Sequence, residues 1–259
     1  VNTPELLWQP SEQVCARTHL SAYTRFLEQE QGLRFASYEQ LWAWSVNELE
    51  AFWESLWRWF GVEATRGYER VLSSRVMPGC EWFPGAQLSY AERIFSGRRD
   101  AEPALLHASE LRPLAAMSWA ELRELTAAIR AGLVECGVVA GDRVAAYLPN
   151  LPETVAAFLA CASLGATWSS AAPEFGTRAV VERFAQIEPK VLLAVDGYRY
   201  AGKDFDRRGV VAELRRELGS LERVFVLPYL TGEGNWQELL RPDVPLSFTS
   251  LPFDHPLWV

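Results

Sequence analysis

Gly197-Tyr198-Arg199-Tyr200-Ala201-Gly202-Lys203-Asp204 is the stretch of this 259-residue chain that comes nearest to phosphate chemistry. It matches G-x-x-x-x-G-K, in which loop amides and a lysine cradle nucleotide phosphates, and it follows an apolar strand-like run, Lys190–Val195. The eighth position breaks the match. A hydroxyl is needed there to hold Mg2+, and Asp204 instead places a carboxylate beside the phosphate oxygens. The next helix is also delayed by Asp204-Phe205-Asp206. Two readings remain: a glycine-flexed loop that docks an anionic group through Arg199 and Lys203, or a solvated basic turn. Residues 199–216 carry six Lys or Arg against three Asp or Glu, which suits either.

Other templates fall away. His19, His107 and His255 are isolated, with no cysteine at ligand spacing, so a zinc site is not expected. Ser169-Ser170 ends a strand-like segment, but nothing nearby in sequence nominates a base to activate a nucleophile. Cys15, Cys80, Cys136 and Cys161 form no C-x-x-C pair and read as buried thiols of a reducing compartment.

The elements that must position such a loop follow from periodicity. Residues 1–75 read as a helical, Trp-rich cap. Ser11 starts a helix running to about Gly32, and a second helical stretch follows Ser37, with Leu49, Phe52, Trp53, Leu56 and Phe60 on one stripe. A membrane-surface helix is the alternative, but its polar face holds Glu48, Glu50 and Glu54 against Arg58, whereas interfacial helices carry Lys and Arg. Residues 76–259 read as a second region. An irregular connector over 76–101 holds a short helix near 89–96, and Ala104–His107 and Leu114–Met117 suggest paired strands. Ser118-Trp119-Ala120-Glu121 is a capping box opening a helix that buries Leu122, Leu125, Ile129, Leu133 and Cys136 and stops at Gly137.

Strand-like Arg143–Leu148, Ala166–Ser170, Lys190–Val195 and Arg223–Leu227 then alternate with helical 152–164, 177–187 and 208–218. That order predicts an α/β fold: a mostly parallel sheet of right-handed βαβ units flanked by helices, with ligands beyond the carboxyl ends of the strands. Residues 228–256 hold five prolines and read as an extended connector outside the core. The run Phe253–Val259 reads as a strand just beginning, which suggests the front part of a larger enzyme.

Composition sets outer bounds. The net charge of −8 argues against general nucleic-acid binding. No apolar run approaches the ~18 residues of a membrane span. The opening Val1-Asn2-Thr3-Pro4-Glu5 lacks the basic and apolar regions of a secretory leader, so a cytoplasmic protein is expected.

Taken together, Gly141-Asp142-Arg143-Val144-Ala145-Ala146-Tyr147-Leu148-Pro149-Asn150, Glu153, Ala160-Cys161 and Leu164-Gly165-Ala166 resemble the N-terminal domain of adenylate-forming acyl-CoA synthetases. Within that superfamily, several segments are similar to the acetoacetyl-CoA synthetase branch. They are Trp82–Ala86, Trp168–Gly176, Arg183–Lys190, Asp196-Gly197-Tyr198, Gly202-Lys203 and His255–Val259. The resemblance spans essentially the whole chain. It implies activation of acetoacetate by ATP with Mg2+ to an acyl-adenylate, then transfer to CoA. It also implies that the phosphate loop, the adenine and acid pockets and the catalytic lysine lie outside these residues, leaving the piece inactive by itself. In related acetyl-CoA synthetases, basic residues on the loop matching Tyr200–Lys203 hold the 3′-phosphorylated end of CoA, helped by the turn matching Glu174-Phe175-Gly176. By that match Lys203, Tyr200, Phe175 and Gly176 are candidate CoA-binding residues, with Arg199 substituting for the arginine that Tyr200 replaces. The competing expectations are a free-standing CoA- or partner-binding module descended from such an enzyme, and an ATPase built on residues 197–204.

Overall fold

A computed structural model describes residues 6–259, so the opening residues that bear on a leader lie outside it. The chain divides into two compact units, the first reaching Glu63 and resuming over Tyr68–Pro84, the second formed by Ala64–Gly67 and Gly85–Val259.

The first unit is helical: α1 (Glu12–Ala16), α2 (His19–Gln31), α3 (Tyr38–Asn47) and α4 (Leu49–Trp59). The single helix expected between Ser11 and Gly32 is broken, because the Thr18 hydroxyl accepts from Ser21 N and starts α2 anew. Gly32 closes α2 at φ +69°, the left-handed conformation that a helix stop of this kind needs. Glu48, at φ −108° and ψ 58°, separates α3 from α4. Tyr23, Leu27 and Leu41 form the core here, packed by Phe52, Leu56 and Trp59. The expected α4 stripe therefore divides. Phe52 and Leu56 face the core, Trp53 meets Trp82 at 5.2 Å, and Phe60 stays exposed.

The second unit opens with α5 (Tyr90–Phe95) and a hairpin of β1 (Pro103–His107) and β2 (Ala115–Ser118). The capping box forms as read: Ser118 Oγ accepts from Glu121 N, while Glu121 accepts from Ser118 N, starting α6 (Trp119–Glu135). Then follow β3 (Arg143–Tyr147), α7 (Pro152–Leu164), β4 (Thr167–Ala171), α8 (Thr177–Phe184) and β5 (Val191–Val195). After β6 (Gly197–Tyr200) and β7 (Lys203–Asp206) come α9 (Arg208–Glu217) and β8 (Arg223–Leu227). The main sheet is parallel throughout, in the order β4-β3-β5-β8.

Alternation along each strand divides its side chains between two helical layers. Val144, Ala146, Val191 and Leu193 meet the α6 and α7 residues Ile129, Leu133, Ala156 and Ala160. Ala145, Tyr147, Leu192 and Ala194 meet Val180 and Phe184 of α8 and Val211 and Leu214 of α9. The alternating apolar helix pattern thus becomes a three-layer α/β unit. Its topological switch point lies between β3 and β5, the place where open sheets of this type bind ligands.

Two readings are corrected. The 228–256 segment is not outside the core: Trp236 is 2% exposed and Leu239 is fully buried, packed on α6 despite the surrounding prolines. The terminal run, expected as a strand just beginning with an open edge, is already paired. Trp168 N donates to Leu257 O and Val259 N to Trp168 O, a parallel bridge along the outer edge of β4. The other outer edge, β8, is closed by Asn235, whose backbone N and side chain pair with Val226 and Val224 as a neighbouring strand would.

Candidate functional site

The chain leaves β5 at Asp196 and forms at once a two-stranded antiparallel ribbon, β6 and β7, with Ala201-Gly202 at its tip. The G-x-x-x-x-G-K stretch is therefore a β-hairpin and not a phosphate loop leading into a helix. Ala201 at φ +50° and Gly202 at φ +71° give the double left-handed turn that suits the twist of paired strands. A kinase-like or ATPase-like cradle on residues 197–204 is excluded by this geometry, because no helix N-terminus follows the lysine.

Asp196 anchors the base of the ribbon. Its buried carboxylate accepts from Tyr229 N (2.7 Å), Leu230 N (2.8 Å), Thr231 N (2.7 Å), Thr231 Oγ1 (2.8 Å) and Gly232 N (3.2 Å). Burial pushes this carboxyl up, but the bonds from Leu230, Thr231 and Tyr229 outweigh it and hold the group below the ordinary aspartate range. The segment after β8 is thereby tied to the carboxyl end of β5.

Register distributes the candidate residues. Tyr200 pairs with Lys203 and Arg199 with Asp204, and paired residues share a face while neighbours alternate. Tyr200 and Lys203 thus lie on the face that carries the stacked Tyr198 and Phe205 rings, whose centroids are 5.0 Å apart. Arg199 lies on the opposite face, held by Asp204 through contacts of 2.5 and 3.0 Å. Hydrogen bonding to Asp204 raises its already high basicity. Lys203 and Tyr200 are exposed, Tyr200 by 69%.

Phe175 and Gly176 sit beyond the carboxyl end of β4, where Gly176 caps α8. The Phe175 ring is half exposed, and the Arg183 guanidinium stacks 5.1 Å from its centroid. A side chain at Gly176 would meet nothing within 4 Å, so no packing contact demands glycine there.

The structure connects these two segments through a residue that sequence reasoning passed over. Arg207 Nε donates to Pro173 O (2.7 Å) and its Nη2 to Tyr198 OH (3.0 Å), with the guanidinium over both ribbon rings. From below, Tyr147 OH lies 2.6 Å from Pro173 O and 3.0 Å from Phe175 O. Burial pushes that phenol's pKa up, so it remains a neutral donor. The 173–176 turn and the ribbon are therefore one rigid assembly at the carboxyl edge of the sheet. Its exposed surface carries the Lys203 ammonium, for which no ion pair appears among the described residues, and the Tyr200 and Phe175 rings, a set suited to a phosphorylated aromatic ligand. Among the described residues, no cluster of three or more His, Cys, Asp or Glu is placed to hold a metal ion.

Comparison with known proteins decides the lineage. Residues 98–244 match the family described as AMP-binding enzyme, and residues 38–94 match the acetyl-coenzyme A synthetase N-terminus. The chain belongs to the AMP-binding enzyme family. It is 33% identical to the acetoacetyl-CoA synthetase of Danio rerio over 98% of its length, covering 41% of that protein. It is 34% identical to the acetoacetyl-coenzyme A synthetase of Rhizobium meliloti, covering 98% of this chain and 40% of the relative. The solved acetoacetyl-CoA synthetase from Streptomyces lividans superposes with a TM-score of 0.95 at 46% identity, over 99% of this chain and 41% of that one. The chain thus spans about two fifths of the length of the relatives it matches.

Proposed function

We propose that the chain supplies the N-terminal part of an AMP-forming acid–CoA ligase that activates acetoacetate. The observation that carries this reading is the agreement of fold and sequence with acetoacetyl-CoA synthetases across nearly all of the chain. In the complete reaction a carboxylate oxygen of acetoacetate attacks the α-phosphorus of ATP and pyrophosphate leaves. The CoA sulfur then attacks the acyl carbonyl and AMP leaves. Mg2+ would balance phosphate charge in the first step, and no residue of this chain is assigned to it. Under this reading residues 1–75 form a helical cap and 76–259 the first part of the AMP-binding domain, and the chain alone is inactive.

The role proposed for these residues is to hold the 3′-phosphorylated nucleotide end of CoA. Lys203 supplies an exposed positive charge that makes no ion pair with a described residue, and Tyr200 supplies an exposed ring paired with it across the ribbon. Phe175 supplies a half-exposed ring on the turn that Arg207 ties to the ribbon. Gly176 leaves open space at the start of α8 for close backbone approach. Arg199 contributes less than the family match implies, because Asp204 already binds its guanidinium on the other face of the ribbon. We place the reaction among small-molecule substrates in the cytoplasm, away from nucleic acid and membrane. All four cysteines are free, and among the described residues no helix is long and apolar enough to cross a membrane.

Changing Lys203→Glu in the complete gene product tests the assignment. The KM for CoA is expected to rise at least tenfold, about the worth of one charge-assisted contact. Acetoacetate-dependent exchange of pyrophosphate into ATP should stay within about twofold. An equal loss in both half-reactions would defeat the reading.

A further inference from the structure

The tip of the ribbon does not stand free. Ala201 N and Gly202 N each lie 2.7 Å from a separate oxygen of the Glu110 carboxylate, a bidentate contact spanning ninety-one residues from Glu110 to Ala201. Glu110 belongs to the loop joining β1 to β2, and that loop is pinned elsewhere. Arg112 Nη1 contacts both oxygens of Glu153, at the start of α7, at 2.9 and 3.0 Å. Its guanidinium also lies over the Tyr229 ring at 4.8 Å, and Ser109 Oγ meets Tyr229 OH at 2.5 Å. Ser109 Oγ further accepts from Leu111 N and Arg112 N, fixing the turn from within.

We infer that the β1–β2 loop is a strap whose Glu110 carboxylate fixes the tip of the β6–β7 ribbon, making Glu110 a positioning residue for the phosphorylated end of CoA. This rests on the CoA assignment above. A two-stranded ribbon is marginally stable alone, and its tip lies farthest from the Asp196 anchor. Lys203 immediately follows the two amides that Glu110 holds, so the strap sets where its ammonium sits. Glu110 keeps its negative charge in this arrangement and withholds the two tip amides from the ligand's phosphate. Both of its oxygens are engaged by amides, while the Lys203 ammonium is left for the ligand.

Glu110→Ala should raise the KM for CoA about tenfold, the scale of a lost charge-assisted pair. It should also narrow the preference for CoA over dephospho-CoA, with pyrophosphate exchange unchanged. Glu110→Gln, which keeps one acceptor oxygen, should recover part of the loss, and Glu110→Asp, one methylene shorter, should not. Hydrogen exchange should quicken at Ala201 and Gly202 in the alanine variant while the β3 and β5 amides remain protected. An unchanged or lower KM for CoA in Glu110→Ala, with Lys203→Glu still impaired, overturns the strap alone. Failure of Lys203→Glu to affect CoA overturns the underlying assignment instead.

Discussion

A carboxylate taken out of water keeps its charge only if donors surround it, and Asp196 meets that condition with five hydrogen bonds. Asp196→Asn would turn an amide NH2 toward N–H groups that have nothing else to donate to. We expect a loss of about 2–4 kcal/mol, measured by urea denaturation at neutral pH. The pH sign follows from the lowered carboxyl pKa in the folded state. The group's stabilisation is complete above the unfolded aspartate value near ~4 and is lost as pH falls through the lower folded value. The asparagine variant should lack that acid-side component, so the gap between the two proteins should narrow below about pH 4. None of this was legible from sequence. Asp196 appeared only as one letter of a family motif, and its partners lie thirty-three to thirty-six residues downstream. Glu110 and Arg207 were missed for the same reason, since each acts on segments distant in the chain.

At the scale of elements, local signals were read correctly where they were complete. The Ser118–Glu121 box, the helix end near Gly32 and the short apolar strands each specify their element without outside help. The β6–β7 ribbon was not foreseen because its tip, Ala201-Gly202, is not one of the pairs that usually announce a hairpin. Its glycine–lysine pattern also suggested another structure. The alternation of Tyr198, Tyr200 and Phe205 was the available clue. Packing that depends on a close approach was equally hidden. A Cβ on Gly132 of α6 would come 1.7 Å from Leu239 O, so the helix and the Trp236–Leu239 turn touch through bare backbone. Alanine gains about 1 kcal/mol over glycine in a helix interior, but the clash with fixed backbone costs more. Gly132→Ala should therefore destabilise by about 1–3 kcal/mol, read as a lower denaturation midpoint with an unchanged slope. A gain in stability would show that the turn can move aside.

Across the molecule, the parallel order β4-β3-β5-β8 brings the 173–176 turn and the ribbon to one edge, where the strap and Arg207 hold them. The α/β class was legible because βαβ alternation leaves few topologies. Under the proposed function, this assembly serves the capture of CoA through Lys203 and its neighbours. The most direct measurement supplies the complete gene product with acetoacetate, ATP and CoA and follows all products by mass. Acetoacetyl-CoA, AMP and pyrophosphate should appear in equal amounts, none forming when acetoacetate is withheld. Release of ADP and phosphate, or ATP cleavage that ignores acetoacetate and CoA, would contradict the account.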